Sequence, residues 1–400
     1  MEKKTTVIFN RNFIILCIIS VITTFAGQSL NTVLAMYSQT FEGVTLGMAG
    51  TVVGIASVAS IVMLPFSGIL SNRFDKRLLT QISAAVTCVG TLWFALAGTY
   101  AELLICRFII GLGSGISMTS TMVMVTESLP EDKVVVGVGL YGLVGIIIQA
   151  VGPATILAVK DAFGYKVLFL GAVALGVVQM AVTMMLPKYQ PPKIEGKSKF
   201  SLKEIIAPEA LLTASIGFLF AFNNAVQLAF VASYAEDSGL GGAGLYFTVQ
   251  AVFTAVARLF FTKITNRNTV AFAATIAGIF LVLFSLFLGF GKTLLMFYIA
   301  SACFGLGYGT LLPVTQSVSI LRVPEERKAS GSSTYFLGIQ IAFAIGGTVG
   351  GVIAERTGYS TMFLTLAGPS ILAIILGVAR GRIPVSPAAY EEFHGKKLEQ

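Results

Sequence analysis

The sequence is short of charge. Only 12% of its 400 residues are Asp, Glu, Lys or Arg, about half the ~25% of an average soluble domain. It has one histidine, His394, near its end, and one tryptophan. Its four cysteines, Cys17, Cys88, Cys106 and Cys303, all sit in apolar runs at spacings that fit no metal site. These shortages exclude a soluble enzyme, a secreted disulfide scaffold and a disordered chain. No phosphate-binding Gly-rich loop is present, which argues against ATP drive. No cofactor and no metal are expected. The first apolar run is too long for the core of a cleavable signal.

What is present is apolar sequence. Hydrophobic residues make up 55% of the chain and mean hydropathy is +0.85. Apolar runs near or above the ~20 residues a helix needs to cross a bilayer follow one another. Read between charge clusters they give twelve spans, at 13–37, 47–70, 79–99, 103–126, 135–159, 166–187, 210–234, 243–263, 269–290, 293–321, 330–354 and 360–380. Lipid cannot satisfy the open edge of a sheet, and the runs lack the alternation of a transmembrane barrel, so the spans are helices. The expected class is an all-α membrane protein. With the N-terminus inside, 21 of the 27 Lys and Arg residues fall in inner segments and 4 in outer ones. This asymmetry sets both termini in the cytoplasm. It also accounts for the net charge of +8 without nucleic acid.

The two halves repeat at an offset of 194 residues. Asn72-Arg73 pairs with Asn266-Arg267, and Gly111, Gly113 and Gly115 with Gly305, Gly307 and Gly309. Tyr141 pairs with Tyr335, Gly164-Tyr165 with Gly358-Tyr359, and Phe169 with Phe363. The polar segment between them follows the sixth span. The expected division is a six-helix bundle over 1–187, a cytoplasmic linker over 188–209, a second bundle over 210–383 and a cytoplasmic tail over 384–400. Parallel six-helix halves with a site between them are a transporter architecture.

At this point the chain resembles the major facilitator superfamily. Gly68-Ile69-Leu70-Ser71-Asn72-Arg73-Phe74-Asp75-Lys76-Arg77 is similar to the family signature Gly-x-Leu-Ala-Asp-Arg-x-Gly-Arg-Lys. Arg107-Phe108-Ile109-Ile110-Gly111 is similar to its Arg-x-x-x-Gly motif. Gly139 and Gly152-Pro153 partly match the Gly-Pro motif of drug/proton antiporters, whose other glycines are replaced by Ile148, Ile156 and Leu157. The resemblance implies the major facilitator fold, twelve transmembrane helices in two pseudo-symmetric six-helix bundles. It further implies alternating access, efflux of a small molecule through the cytoplasmic membrane by a monomer, and protons as coupling partner.

The family's acidic latch position is Asn72 here, and its glycine is Asp75. Gly68, Asn72, Arg73, Asp75 and Arg77 are therefore the expected gating residues, against the plainer reading of a positive-inside turn. Arg107 lies about one turn inside the fourth span. A charge there calls for a partner, a cavity or a route to the headgroups. Arg258, nearer the inner end of the eighth span, reads as a snorkelling arginine. All 19 acidic residues fall in loops, tails or span ends, whereas proton relays use embedded Asp, Glu or His. The expected pocket is thus neutral or slightly positive, and its substrate a neutral or anionic amphipathic molecule.

In the family the first, fourth, seventh and tenth spans line the pocket. This makes Arg107, Gln28, Asn31, Asn223, Asn224, Gln227, Tyr308 and Gln316, with Gln340 from the eleventh span, the expected substrate contacts. Positions 223 and 227 share a helix face, and interhelical bonding is the plainer role for each amide. Gly111, Gly115, Gly305 and Gly309 are read as packing glycines, and Gly152 and Pro153 as a hinge. A facilitator or anion importer without proton coupling is the nearest alternative. A membrane sensor and a lipid-acting enzyme are remote ones, since no output domain and no buried acid/base group is evident.

Overall fold

The computed structural model describes residues 8–130, 133–188, 206–240, 242–265, 268–324 and 328–385. Most of the expected linker and all but the first residues of the tail lie outside this set. The described chain is almost wholly helical: α1 Arg11–Asn31, α2 Leu34–Ser38, α3 Leu46–Arg73, α4 Lys76–Leu96, α5 Tyr100–Ser128 and α6 Val134–Thr183. A short 3-10 turn, Pro208–Ala210, then leads into α7 Leu211–Asp237 and α8 Ala243–Val256. A π turn, Ala257–Phe261, joins α8 to α9 Thr262–Thr265. There follow α10 Val270–Phe290, α11 Leu294–Leu321, α12 Lys328–Thr365 and α13 Ala367–Arg380.

Nine stretches among the described residues are long and apolar enough to cross a membrane. Two of them, Leu140–Thr183 and Ser330–Arg380, are 44 and 51 residues long. At 1.5 Å per residue each exceeds twice the ~30 Å hydrocarbon core. Each is broken at a glycine, Gly164 (φ 78°) in one and Gly358 (φ 81°) in the other. An L side chain is strained at such φ, so glycine lets the chain turn there without a loop. The sequence reading placed a loop at each point. The chain is a multi-pass membrane protein; twelve is the sequence count, and nine the count by length and composition.

The chain forms two compact units, 1–44 with 51–198, and 45–50 with 199–400. Each is built by the same local rules. Asp75 caps α4 by accepting the Arg77 N–H at 3.0 Å, and Thr269 caps α10 by accepting from Phe272 at 3.4 Å. Thr99 caps α5 and Thr293 caps α11, each accepting the N–H three residues on at 3.3 Å. Both cap pairs stand 194 residues apart, and such a side chain satisfies one of the four open donors of a helix start.

The packing repeats as closely. A methyl built on Gly111 would lie 2.3 Å from the Ala56 carbonyl oxygen, and one on Gly305 would lie 2.4 Å from that of Gln250. Gly115 meets Met63, and Gly309 meets Ala257, in the same register. Gly113 meets Ser83 and Thr87, and Gly307 meets Ala277 and Leu281. These glycines let neighbouring backbones touch, which is how helices associate where lipid removes the hydrophobic drive. An aromatic cluster closes the same end of both repeats. In the first unit Tyr37 packs on Tyr165 and Phe169, at centroid distances of 5.1 and 4.9 Å. In the second, Tyr234 packs on Tyr359 and Phe363, at 6.2 and 5.3 Å.

Candidate functional site

In the first unit the polar interior centres on Arg107. Its guanidinium donates through Nη2 to Asn31 Oδ1 at 3.0 Å and through Nε to the Val52 carbonyl at 3.4 Å. These contacts join α5 to α1 and α3, and only 5% of Arg107 is exposed. Two neutral acceptors thus hold a charge that apolar surroundings would otherwise disfavour. The expected contacts Arg107 and Asn31 are brought together, with each other as partners. The Gln28 side chain lies outside the described residues. Gly152 and Pro153 are buried inside α6.

The expected gating loop is almost entirely helix. α3 runs to Arg73 and α4 starts at Lys76, so only Phe74 and Asp75 lie between them. Gly68 and Asn72 fall in the last turns of α3, but their packing and the Asn72 side chain lie outside the described residues. Asp75 is the N-cap of α4. Arg73 is exposed and Arg77 half-buried. Sequence reasoning missed the ion pair beside this loop. Lys76, 2% exposed, donates through Nζ to Glu127 Oε1 at the end of α5. Two charged residues at the facing ends of successive spans were the available signal. The repeat counterparts, Val270 and Leu321, are apolar.

The second unit holds the richer polar set. Asn223 and Gln227 share a face of α7, as their spacing requires, and both are fully buried. Asn223 Nδ2 donates to Ser370 Oγ at 2.7 Å on α13, and Gln227 Nε2 to Gln250 Oε1 at 2.7 Å on α8. This face bonds helices together. Asn223 Oδ1 is buried with no hydrogen-bond partner among the described residues. Asn224 points elsewhere and is half-buried. Its Nδ2 donates to the Tyr308 hydroxyl at 3.0 Å, and the Tyr308 ring stacks on Phe304. Below it, Thr315 and Tyr335 share a hydrogen bond at 3.1 Å. Gln316 and Gln340 are half-buried. The structure therefore pairs Asn224 with Tyr308, separates both from Asn223 and Gln227, and leaves Gln316 and Gln340 without bonds to either pair.

A cleft of about 440 Å³ opens on the second unit between α7, α12 and α13. Phe218, Leu219, Leu337 and Leu372 line it, and none of the expected amides does. It is an apolar feature distinct from the Asn224–Tyr308 pair.

Among proteins of known sequence, this chain is 21% identical over 356 residues to the Staphylopine export protein of Staphylococcus aureus, a match covering 84% of this chain and 88% of that protein. It is 27% identical over 153 residues to the MFS-type transporter YhcA of Bacillus subtilis, covering 38% of this chain and 29% of YhcA. With the purine ribonucleoside efflux pump NepI of Escherichia coli it shares 28% identity over 142 residues, 35% of this chain and 36% of NepI. The chain thus spans about a third of the length of two of these relatives and most of the third. Its fold matches a crystal structure of the nucleoside transporter NupG with a TM-score of 0.78 at 14% identity, over 92% of this chain and 99% of that one. A profile described as Major Facilitator Superfamily matches residues 16–289 and, in a second overlapping match, residues 213–398. Signature loop, internal repeat, helical architecture and this match agree, and the chain belongs to the Major Facilitator Superfamily.

Proposed function

We propose that the chain is a secondary transporter of the plasma membrane that exports a small, neutral or anionic amphipathic molecule by alternating access. The observation that carries the reading is the Asn224–Tyr308 pair, half-buried in the second unit where the bonded Asn223 and Gln227 are fully buried. Amide and phenol groups at membrane depth are costly unless they bond to one another or to a ligand. Here they offer donors and acceptors without negative charge. Gln316 and Gln340 complete the set of amides available to a solute, and Arg107 with Asn31 braces the first unit. Export is the direction that the names of the staphylopine and nucleoside relatives support. Both termini lie in the cytoplasm on the balance of basic residues, and a monomer is the working unit. Gly68, Asn72, Arg73, Asp75 and Arg77 act as the latch of the cytoplasmic gate.

The coupling is the point at which a second reading gains support. Embedded carboxylates are missing from the whole sequence, which favours a facilitator or anion carrier over proton antiport. Solute flux from preloaded proteoliposomes, with and without a pH gradient, separates the two. Flux that continues after the gradient is collapsed supports the carrier without protons. Flux that stops requires proton coupling and removes the carrier without protons. No flux of any tested amphipathic solute would remove the transporter reading itself.

A further inference from the structure

We propose that Arg258 is a binding subsite for the anionic group, a carboxylate or a phosphate, of the transported solute. The proposal rests on the transporter reading above and narrows its substrate class.

The local structure is unusual. The helix that begins at Ala243 widens into a π turn over Ala257–Phe261, and Arg258 is its second residue. Such turns insert an extra residue into the hydrogen-bond ladder and recur at functional sites. Their effect is to re-aim side chains. Leu259 and Phe260, at 66% and 64% exposure, take the outward positions, while Ala257 is fully buried. Ala257 packs on Gly309 of α11, where an added methyl would lie 2.9 Å from its Cβ. Gly309 adjoins Tyr308 in sequence, and the π turn packs along α11. The arginine is therefore set against the helix that carries the Asn224–Tyr308 pair. A purely snorkelling arginine would instead share the outward face with Leu259 and Phe260.

At Nε its hydrogen bonding is open. Arg258 Nε is buried and has no hydrogen-bond partner among the described residues. A guanidinium carries five donors in a fixed fork suited to carboxylate or phosphate. A charge inside a span with no acceptor is disfavoured. No acidic residue of this sequence lies deep in a span to serve as acceptor. A solute anion held between Arg258, Tyr308 and Asn224 would meet the guanidinium with its charge and the phenol and amide with its polar groups. Export of an anion also runs with an inside-negative potential. At 100 mV that potential sustains about a fiftyfold concentration ratio for one charge. Such export proceeds without a proton.

The test uses the full-length protein in nanodiscs of phosphatidylcholine alone and, separately, with phosphatidylglycerol. The midpoint of thermal unfolding is followed against inorganic phosphate, benzoate and benzamide, for the wild type, Arg258→Gln and Arg258→Lys. The expected result is stabilisation by phosphate and benzoate in phosphatidylcholine discs, with benzamide much weaker. Arg258→Gln weakens benzoate binding by roughly tenfold or more, the factor carried by a charged hydrogen bond, and Arg258→Lys retains part of it. Equal effects of benzoate and benzamide on the wild type would overturn the proposal. So would an unchanged response in Arg258→Gln. A response to phosphatidylglycerol alone, abolished in Arg258→Gln, would make Arg258 a lipid-headgroup contact and overturn it as well. Inosine flux in proteoliposomes is the independent readout of transport. If it persists in Arg258→Gln while benzoate binding does not respond to the variant, the subsite fails and the transporter reading stands.

Discussion

Each unit carries one arginine inside an apolar span, and the surroundings differ. Arg107 in the first unit is almost wholly buried and bonded to Asn31 and to the Val52 carbonyl. Arg258 in the second sits in a π turn, half-buried, with a buried Nε that meets no acceptor among the described residues. The repeat places neither opposite the other. The first unit therefore uses its charge to tie three helices together, whereas the second carries its charge on a π turn packed along the helix of Tyr308. The contrast extends to the helix ends. Lys76 pairs with Glu127 in the first unit, and the second has Val270 and Leu321 at those positions.

The largest expected effect separates the two arginines. Arg107→Ala removes the bonds to Asn31 and the Val52 carbonyl and opens a void among α1, α3 and α5, and is expected to lower stability by about 3 kcal/mol. Arg258→Ala removes an Nε donor that has no partner among the described residues and should change stability by less than ~1 kcal/mol. Thermal unfolding of the purified protein in detergent reads both, and equal losses would erase the distinction. Next come the packing glycines. Gly111→Ala and Gly305→Ala each force a methyl against a neighbouring backbone and should cost about 1–3 kcal/mol apiece. A loss in only one unit would show that the repeat of contacts is not a repeat of energetics. Gly164→Ala and Gly358→Ala should cost about 1–2 kcal/mol each through positive-φ strain. The smallest effect is expected for the double change Lys76→Val with Glu127→Leu, which gives the first unit the residues of the second. Replacing a paired charge by apolar groups is near neutral or stabilising, whereas Glu127→Gln alone, leaving the buried Lys76 without its countercharge, should cost about 1–3 kcal/mol. Melting the two variants together with the wild type checks this order.

Much of the fold was legible in the sequence because its signals are local and repeated. Apolar runs bounded by Asp75, Thr99, Thr269 and Thr293 mark helix starts, and a constant offset of 194 residues carries through the close-packed glycines. The turns at Gly164 and Gly358 were read as loops, because the sequence shows where a chain turns but not that a single positive φ suffices. The site was less legible. Spacing put Asn223 and Gln227 on one face, but it could not tell a face that packs from a face that opens. Asn224, one residue away, is the half-buried one. Arg258 was read as snorkelling because ordinary helical periodicity places it near the inner end of its span. The π turn that carries it leaves no mark in hydrophobic period.

Arginine-directed labelling tests the central claim without a mutation or a known substrate. The wild-type protein in phosphatidylcholine vesicles is treated with phenylglyoxal, digested and mapped by mass spectrometry, with the exposed Arg380 as internal reference. The account predicts that Arg258 is modified, that benzoate slows its modification, and that Arg107 stays unmodified. Modification of Arg107 at the rate of Arg258, or an Arg258 as unreactive as Arg107, would contradict it.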